Sequence, residues 1–137
     1  MSIASLAGLS ISVYLTAVHY TGVPLACTTS GAINCELVLS SPYSVIAGSG
    51  LPTSAAGIVW FAGSAALATL IWAGRGAPLA SRLQLAWSGL GLLTVIGLLF
   101  IEIVVLGAIC IWCTAAHSLV VAIFVMVLWL ARDSVEA

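Results

Sequence analysis

Residues 83–105 read LQLAWSGLGLLTVIGLLFIEIVV. One side chain in this run is charged, Glu102, and no proline interrupts it. About 20 mostly apolar residues in a helix cross the hydrocarbon core of a bilayer. Lipid offers the backbone no hydrogen-bond partner, so a segment this apolar must be helical to satisfy its own amides and carbonyls. Working outward, three more stretches meet the same test, at about residues 3–20, 53–73 and 110–130. The expected fold class is an all-α integral membrane protein, a four-transmembrane-helix bundle. One domain is expected over residues 1–137, with a polar loop at about 21–52 and a short turn at 106–109.

Composition agrees. The chain is 63% hydrophobic and 5% charged, against roughly 25% charged residues in soluble domains. It has no lysine and three arginines, so it lacks the basic patch that nucleic-acid binding requires. Glycines inside the apolar runs suit helices that pack closely in lipid. The arginines also set a direction. Arg75 and Arg82 lie between the second and third spans and Arg132 follows the fourth, so all three fall on one side. The positive-inside rule makes that side cytoplasmic. The loop and the 106–109 turn then face outward, toward the periplasm or cell-wall space of a bacterium. A removable signal peptide is the other reading of the first span, but no basic segment precedes it.

The cysteines carry the chemistry. Cys27 and Cys35 have seven residues between them, and Cys110-Ile-Trp-Cys113 opens the fourth span. Both pairs fall on the outer side, where disulfides persist. Cys110 and Cys113 are expected on one face of the first helical turn, where the helix dipole favours a thiolate. Thiolates exchange with disulfides through mixed disulfides, so two pairs make a relay. The electrons need a lipid-soluble, two-electron acceptor, which points to a quinone. Two static disulfides, or buried free thiols, are the plainer readings. A zinc site lacks a histidine pair at ligand spacing.

The outer loop contains a turn at Thr28-Thr29-Ser30-Gly31 and a short helix from Asn34, with Asn34 as its cap. Pro52 precedes the second span, where a missing amide costs little. The loop is long enough to close over the outer end of the bundle and to bring Cys35 to the fourth span, leaving Cys27 exposed. Glu36 reads as a solvated loop residue. His19 and Tyr20 read as interface anchors, and the tryptophans as interface belts or packing. Trp112, between the two inner cysteines, reads as a shield. Trp60 and Phe61 are candidates for a pocket wall or for the core. Glu102 either faces a cavity or reaches for the outer surface, since a bare carboxylate in lipid is costly. His117 lies one turn beyond Cys113 on the same face.

Cys27-x7-Cys35, then Val38-Leu39-Ser40-Ser41, Gly57 opening the next span and Cys110-Ile-Trp-Cys113 together resemble the vitamin K epoxide reductase family. The resemblance covers nearly the whole chain. It implies a bundle around a quinone pocket (menaquinone, ubiquinone or vitamin K type) with the outer loop as a lid. It makes Cys113 the cysteine beside the quinone and Cys110 its partner. Cys35 would exchange with Cys110, and Cys27 with a thioredoxin-fold (DsbA-like) protein, supporting disulfide bond formation. Ser41 matches the family's loop serine. No thioredoxin-like segment is present in the sequence, so that partner is expected to be a separate protein. Animal members have a tyrosine at His117 and an asparagine near Thr53, both helping to hold the quinone. The departures favour plain quinone reduction over epoxide reduction. The expected quinone-contacting residues are Ser41, Thr53, Phe61, Glu102 and His117. The competing function is a soft-metal carrier of the mercury type, using paired thiols.

Overall fold

The computed structural model describes residues 1–27, 30–46 and 48–136. The Thr28-Thr29 half of the expected turn lies outside the described residues. The chain forms α1 (Ser2–Thr21), α2 (Cys35–Ser40), α3 (Thr53–Trp72), α4 (Ala77–Phe100) and α5 (Ile111–Glu136). A single 3₁₀ turn, Pro42–Ser44, follows α2, and a π-helical turn, Ile101–Leu106, extends α4. Among the described residues, four segments are long and apolar enough to cross a membrane: α1, α3, Pro78–Leu106 and Ile111–Asp133. No strand forms among the described residues.

Two boundaries differ from expectation. The third span begins several residues before Leu83, because Gly76 turns the chain in the left-handed region and Pro78 starts the helix without needing an amide partner. The fourth begins at Ile111, so Cys110 precedes the helix rather than belonging to its first turn.

Small residues bring the helices together. On α1, Ser5, Gly8, Ser12 and Leu15 are buried at helical spacing. A methyl on Gly8 would overlap the Phe61 ring, and one on Gly57 would press on Ser12. These contacts fix α1 antiparallel to α3, and Thr16 Oγ1 donating to Ser54 Oγ at 2.8 Å continues the register. The α3–α4 contact is reciprocal. The Trp60 indole donates to the Trp87 carbonyl at 3.1 Å, and the Trp87 indole donates to the Trp60 carbonyl at 3.0 Å. Each ring lies over a glycine of the other helix, Trp60 over Gly91 and Trp87 over Gly63. Phe61, Val95, Val120, Ile123 and Val127 form the apolar centre of the bundle.

This packing yields a stability prediction. Gly91→Ala places a methyl inside the Trp60 ring, so the indole must shift and its hydrogen bond with it. Overpacking of this kind costs about 1–3 kcal/mol. Gly89, two residues away, has open space around it. Thermal unfolding in detergent is expected to show Gly91→Ala clearly below wild type and Gly89→Ala close to it. Equal midpoints for the two variants would refute the tight Trp60–Gly91 contact.

Candidate functional site

The loop after α1 folds back over one end of the bundle and is tied there by backbone. The Asn34 amide donates to the Ile109 carbonyl at 3.1 Å, and the Ile109 amide donates to the Ala32 carbonyl at 2.8 Å. The loop thus pairs with the short stretch just ahead of Cys110. Ala26 is held from two sides: its amide donates to Tyr14 Oη at 3.3 Å, and its carbonyl accepts the Trp112 indole at 3.0 Å. The Tyr14 and Trp112 rings pack with centroids 5.0 Å apart. Trp112 packs against the cluster that holds Cys35 and Cys110, and its indole also anchors the loop.

Asn34 caps α2 as its sequence position predicts, its side chain accepting the Leu37 amide at 3.0 Å. Glu36 sits in the first turn of α2 and is exposed, so it belongs to a helix and not to a loop. Ser41 Oγ donates back to the Val38 carbonyl at 2.8 Å and ends α2. Thr53 Oγ1 donates to the Ser44 carbonyl at 3.0 Å, joining the start of α3 to the 3₁₀ turn.

Cys27 and Cys35 are joined as a disulfide, with Cα atoms 6.2 Å apart. Cys110 and Cys113 carry free thiols. Cys35, Val38, Ala108 and Cys110 are buried in one packed cluster, with Cys27, Trp112 and Cys113 against it. Cys35 is therefore brought to the fourth span, as expected, while Cys27 is half-buried rather than fully exposed.

Cys110 is 0% exposed and stands as the residue before α5. Its sulfur accepts the Cys113 amide at 3.4 Å. Hydrogen bonding from the Cys113 thiol holds the Cys110 thiol below the ordinary cysteine value, against burial and the nearby Glu102 carboxylate. The Cys110 thiol thus gives up its proton more readily than an ordinary cysteine, chiefly through Cys113.

Beneath the lid lies a cavity of about 240 Å³ between α1, α3, α4 and α5. Its wall includes all five residues singled out in the sequence: Ser41, Thr53, Phe61, Glu102 and His117. Cys113 opens onto it, and Cys110 does not. Most of the lining is apolar, with a few polar groups at the lid end. That is the general character of small-molecule sites. His117 Nδ1 is buried with no hydrogen-bond partner.

Glu102 is buried at 4% exposure and faces the cavity, so it does not reach for the outer surface. The π-helical turn sets this direction. Gly107, at φ 60°, ends the turn in the left-handed region that favours glycine. The Ala108 amide then returns to the Glu102 carbonyl at 3.0 Å, and the Cys110 amide donates to the Glu102 carboxylate at 3.4 Å.

His19, read as an anchor, also lines the cavity, as do Tyr43, Ser54 and Thr94. Tyr20 is exposed, consistent with an anchor. The signal for His19 was available: it is an ionisable side chain at the end of a span, and such residues are functional candidates by default.

A family model described as the vitamin K epoxide reductase family matches residues 1–128. The match takes in all four cysteines and ends inside α5. What the cysteine spacing resembles is therefore membership: the chain is a membrane thiol oxidoreductase of the vitamin K epoxide reductase family.

Proposed function

We propose that the chain is a quinone-dependent thiol oxidase that takes electrons from a thioredoxin-fold partner and gives them to a membrane quinone. The supporting observation is the division of labour between the inner cysteines. Cys110 is packed in one cluster with Cys35, while Cys113 opens onto the cavity.

The relay runs in two exchanges. Partner thiols attack the Cys27–Cys35 disulfide at Cys27, the more exposed sulfur, and leave as a disulfide. The Cys27 and Cys35 thiols then reduce a Cys110–Cys113 disulfide through Cys35 and Cys110. Finally the two inner thiols give two electrons and two protons to the quinone, and the inner disulfide re-forms. The state described here, outer pair bonded and inner pair reduced, is the one ready for that last step.

The cavity fits a quinone ring: apolar walls for its faces, and polar groups near Cys113 for its oxygens. His117, with a buried ring nitrogen still unpartnered, is the expected donor to one oxygen. Ser41 and Thr53 shape the lid end, and Phe61 packs from α3. A menaquinone, ubiquinone or vitamin K type ring satisfies the same features. The arginines at the opposite end support a cytoplasmic side there by the positive-inside rule. The cysteines then work on the extracytoplasmic side of a bacterial plasma membrane, where they support disulfide formation.

The test is quinone reduction by the purified protein supplied with a reduced thioredoxin-fold oxidase. Turnover dependent on both components is the expected result. No turnover with ubiquinone, menaquinone or vitamin K analogues would sink the oxidase reading and turn attention to soft-metal binding.

A further inference from the structure

The reduction of a quinone by two thiols moves two protons as well as two electrons, and the two thiols are not placed alike. Cys113 opens onto the cavity, so its proton has a direct way to a ring oxygen. Cys110 is 0% exposed and does not line the cavity. Its sulfur is met by Cys113, which loses its own proton in the same step, so the Cys110 proton leaves through another neighbouring group.

Glu102 is that neighbour. Its carboxylate accepts the Cys110 amide at 3.4 Å and its side chain also lines the cavity. It is carried on the π-helical turn that Gly107 closes, so it bridges the buried cysteine and the open space. We propose that Glu102 is the proton carrier of the inner cysteine pair, a role that rests on the quinone reading of the cavity. It takes the proton of Cys110 as the inner disulfide forms and passes it to an oxygen of the quinone.

The step balances. Two S–H bonds break and one S–S bond forms. The electron pair leaves the sulfurs for the quinone ring, and two O–H bonds form there. Glu102 gains and loses one proton per cycle and is unchanged at the end. The other ionisable groups around it are few. Cys113 and His117 face the cavity from α5, His19 from α1 and Tyr43 from the 3₁₀ turn. On α2, Cys35 is in the disulfide and Glu36 is exposed. None of these hydrogen-bonds the Cys110 backbone as Glu102 does.

The experiment is single-turnover quinone reduction by the full chain in lipid nanodiscs, with the inner pair reduced beforehand and a short-chain ubiquinone as oxidant. Glu102→Gln keeps an oxygen for the Cys110 amide but cannot carry a proton. General acid–base catalysis contributes about 10²–10⁴-fold, so a fall of roughly 10²-fold or more is expected, with the wild-type pH dependence lost. Glu102→Asp should restore most of both. A Gln variant with the wild-type rate and pH profile would overturn the role. So would a slowed variant whose pH profile and solvent isotope effect match wild type, since that reports positioning alone.

Should the Gln variant not fold, redox-difference infrared spectra of the wild-type protein decide. A carboxyl C=O band that changes when the inner pair is oxidised, and shifts in heavy water, supports the carrier. No such band overturns it. Wild-type protein that reduces no quinone would instead bring down the reading of the cavity.

Discussion

Cys113→Ala is expected to reduce quinone turnover to background, a loss of roughly 10⁴-fold or more by analogy with removal of a reacting side chain elsewhere. The reason is connectivity. Cys113 is the one cysteine that opens onto the cavity, and Cys110, its partner, is sealed from it. Without Cys113 no inner disulfide can form, and no sulfur touches the electron acceptor. The substitution removes a small side chain at the cavity wall, where space already exists. Its cost in stability should stay near the typical value for a point change, about 1 kcal/mol. The Cys27–Cys35 disulfide is left intact, so one round of partner oxidation should survive. Following both signals separates the two events: quinone absorbance should stay flat while a single equivalent of partner thiol is oxidised. Wild-type quinone turnover in this variant would place the electron exit elsewhere and overturn the assignment of the cavity.

The spans were legible because lipid leaves the backbone one solution over a long apolar run. Asn34 and Pro52 were legible for local reasons, a side-chain cap and a helix start that needs no amide. The cysteine spacing carried the family. What stayed hidden depends on how the loop returns to the bundle. His19 looks like an anchor when α1 is considered alone, and it becomes part of a cavity wall only once the lid covers that end. Glu102 was ambiguous because its direction is set by a π-helical turn. The carboxylate on this turn meets the Cys110 amide, and no periodicity in residues 101–107 announces the turn. Cys110 was placed inside the helix by its apolar neighbours. Pairing of Ile109 with Ala32 and Asn34 delays the helix by one residue and leaves Cys110 as its sulfur-bearing cap. For His19 and Cys110 a long-range contact overrides the local pattern, and for Glu102 a local irregularity in the helix does.

Loss of the outer disulfide should show the order of the relay. Cys35 is 1% exposed and Cys27 half-buried, and both border a small surface hollow with Pro24, Leu25 and Glu36. Cys35→Ser leaves Cys27 as a thiol at that hollow and removes the cysteine that it is bonded to. Mixed with a single-cysteine thioredoxin-fold partner whose thiol is first activated as a mixed disulfide with thionitrobenzoate, this variant is expected to accumulate a covalent complex through Cys27, with thionitrobenzoate as the leaving thiol. Cys27→Ser should form far less, because the remaining thiol at Cys35 is the more deeply buried of the two. In both variants, quinone reduction driven by the partner should fall to background. Reduction driven by a small dithiol that reaches the inner pair directly should persist within about tenfold of wild type, a tolerance of about 1.4 kcal/mol in the barrier. The disulfide closes a short loop and is worth about 2–3 kcal/mol by chain entropy. The lid should nevertheless stay docked, since the Asn34–Ile109, Ile109–Ala32 and Trp112–Ala26 hydrogen bonds do not involve it. Equal trapping at Cys27 and Cys35 would mean that the lid opens freely, and would remove burial as the reason that the partner meets Cys27 first.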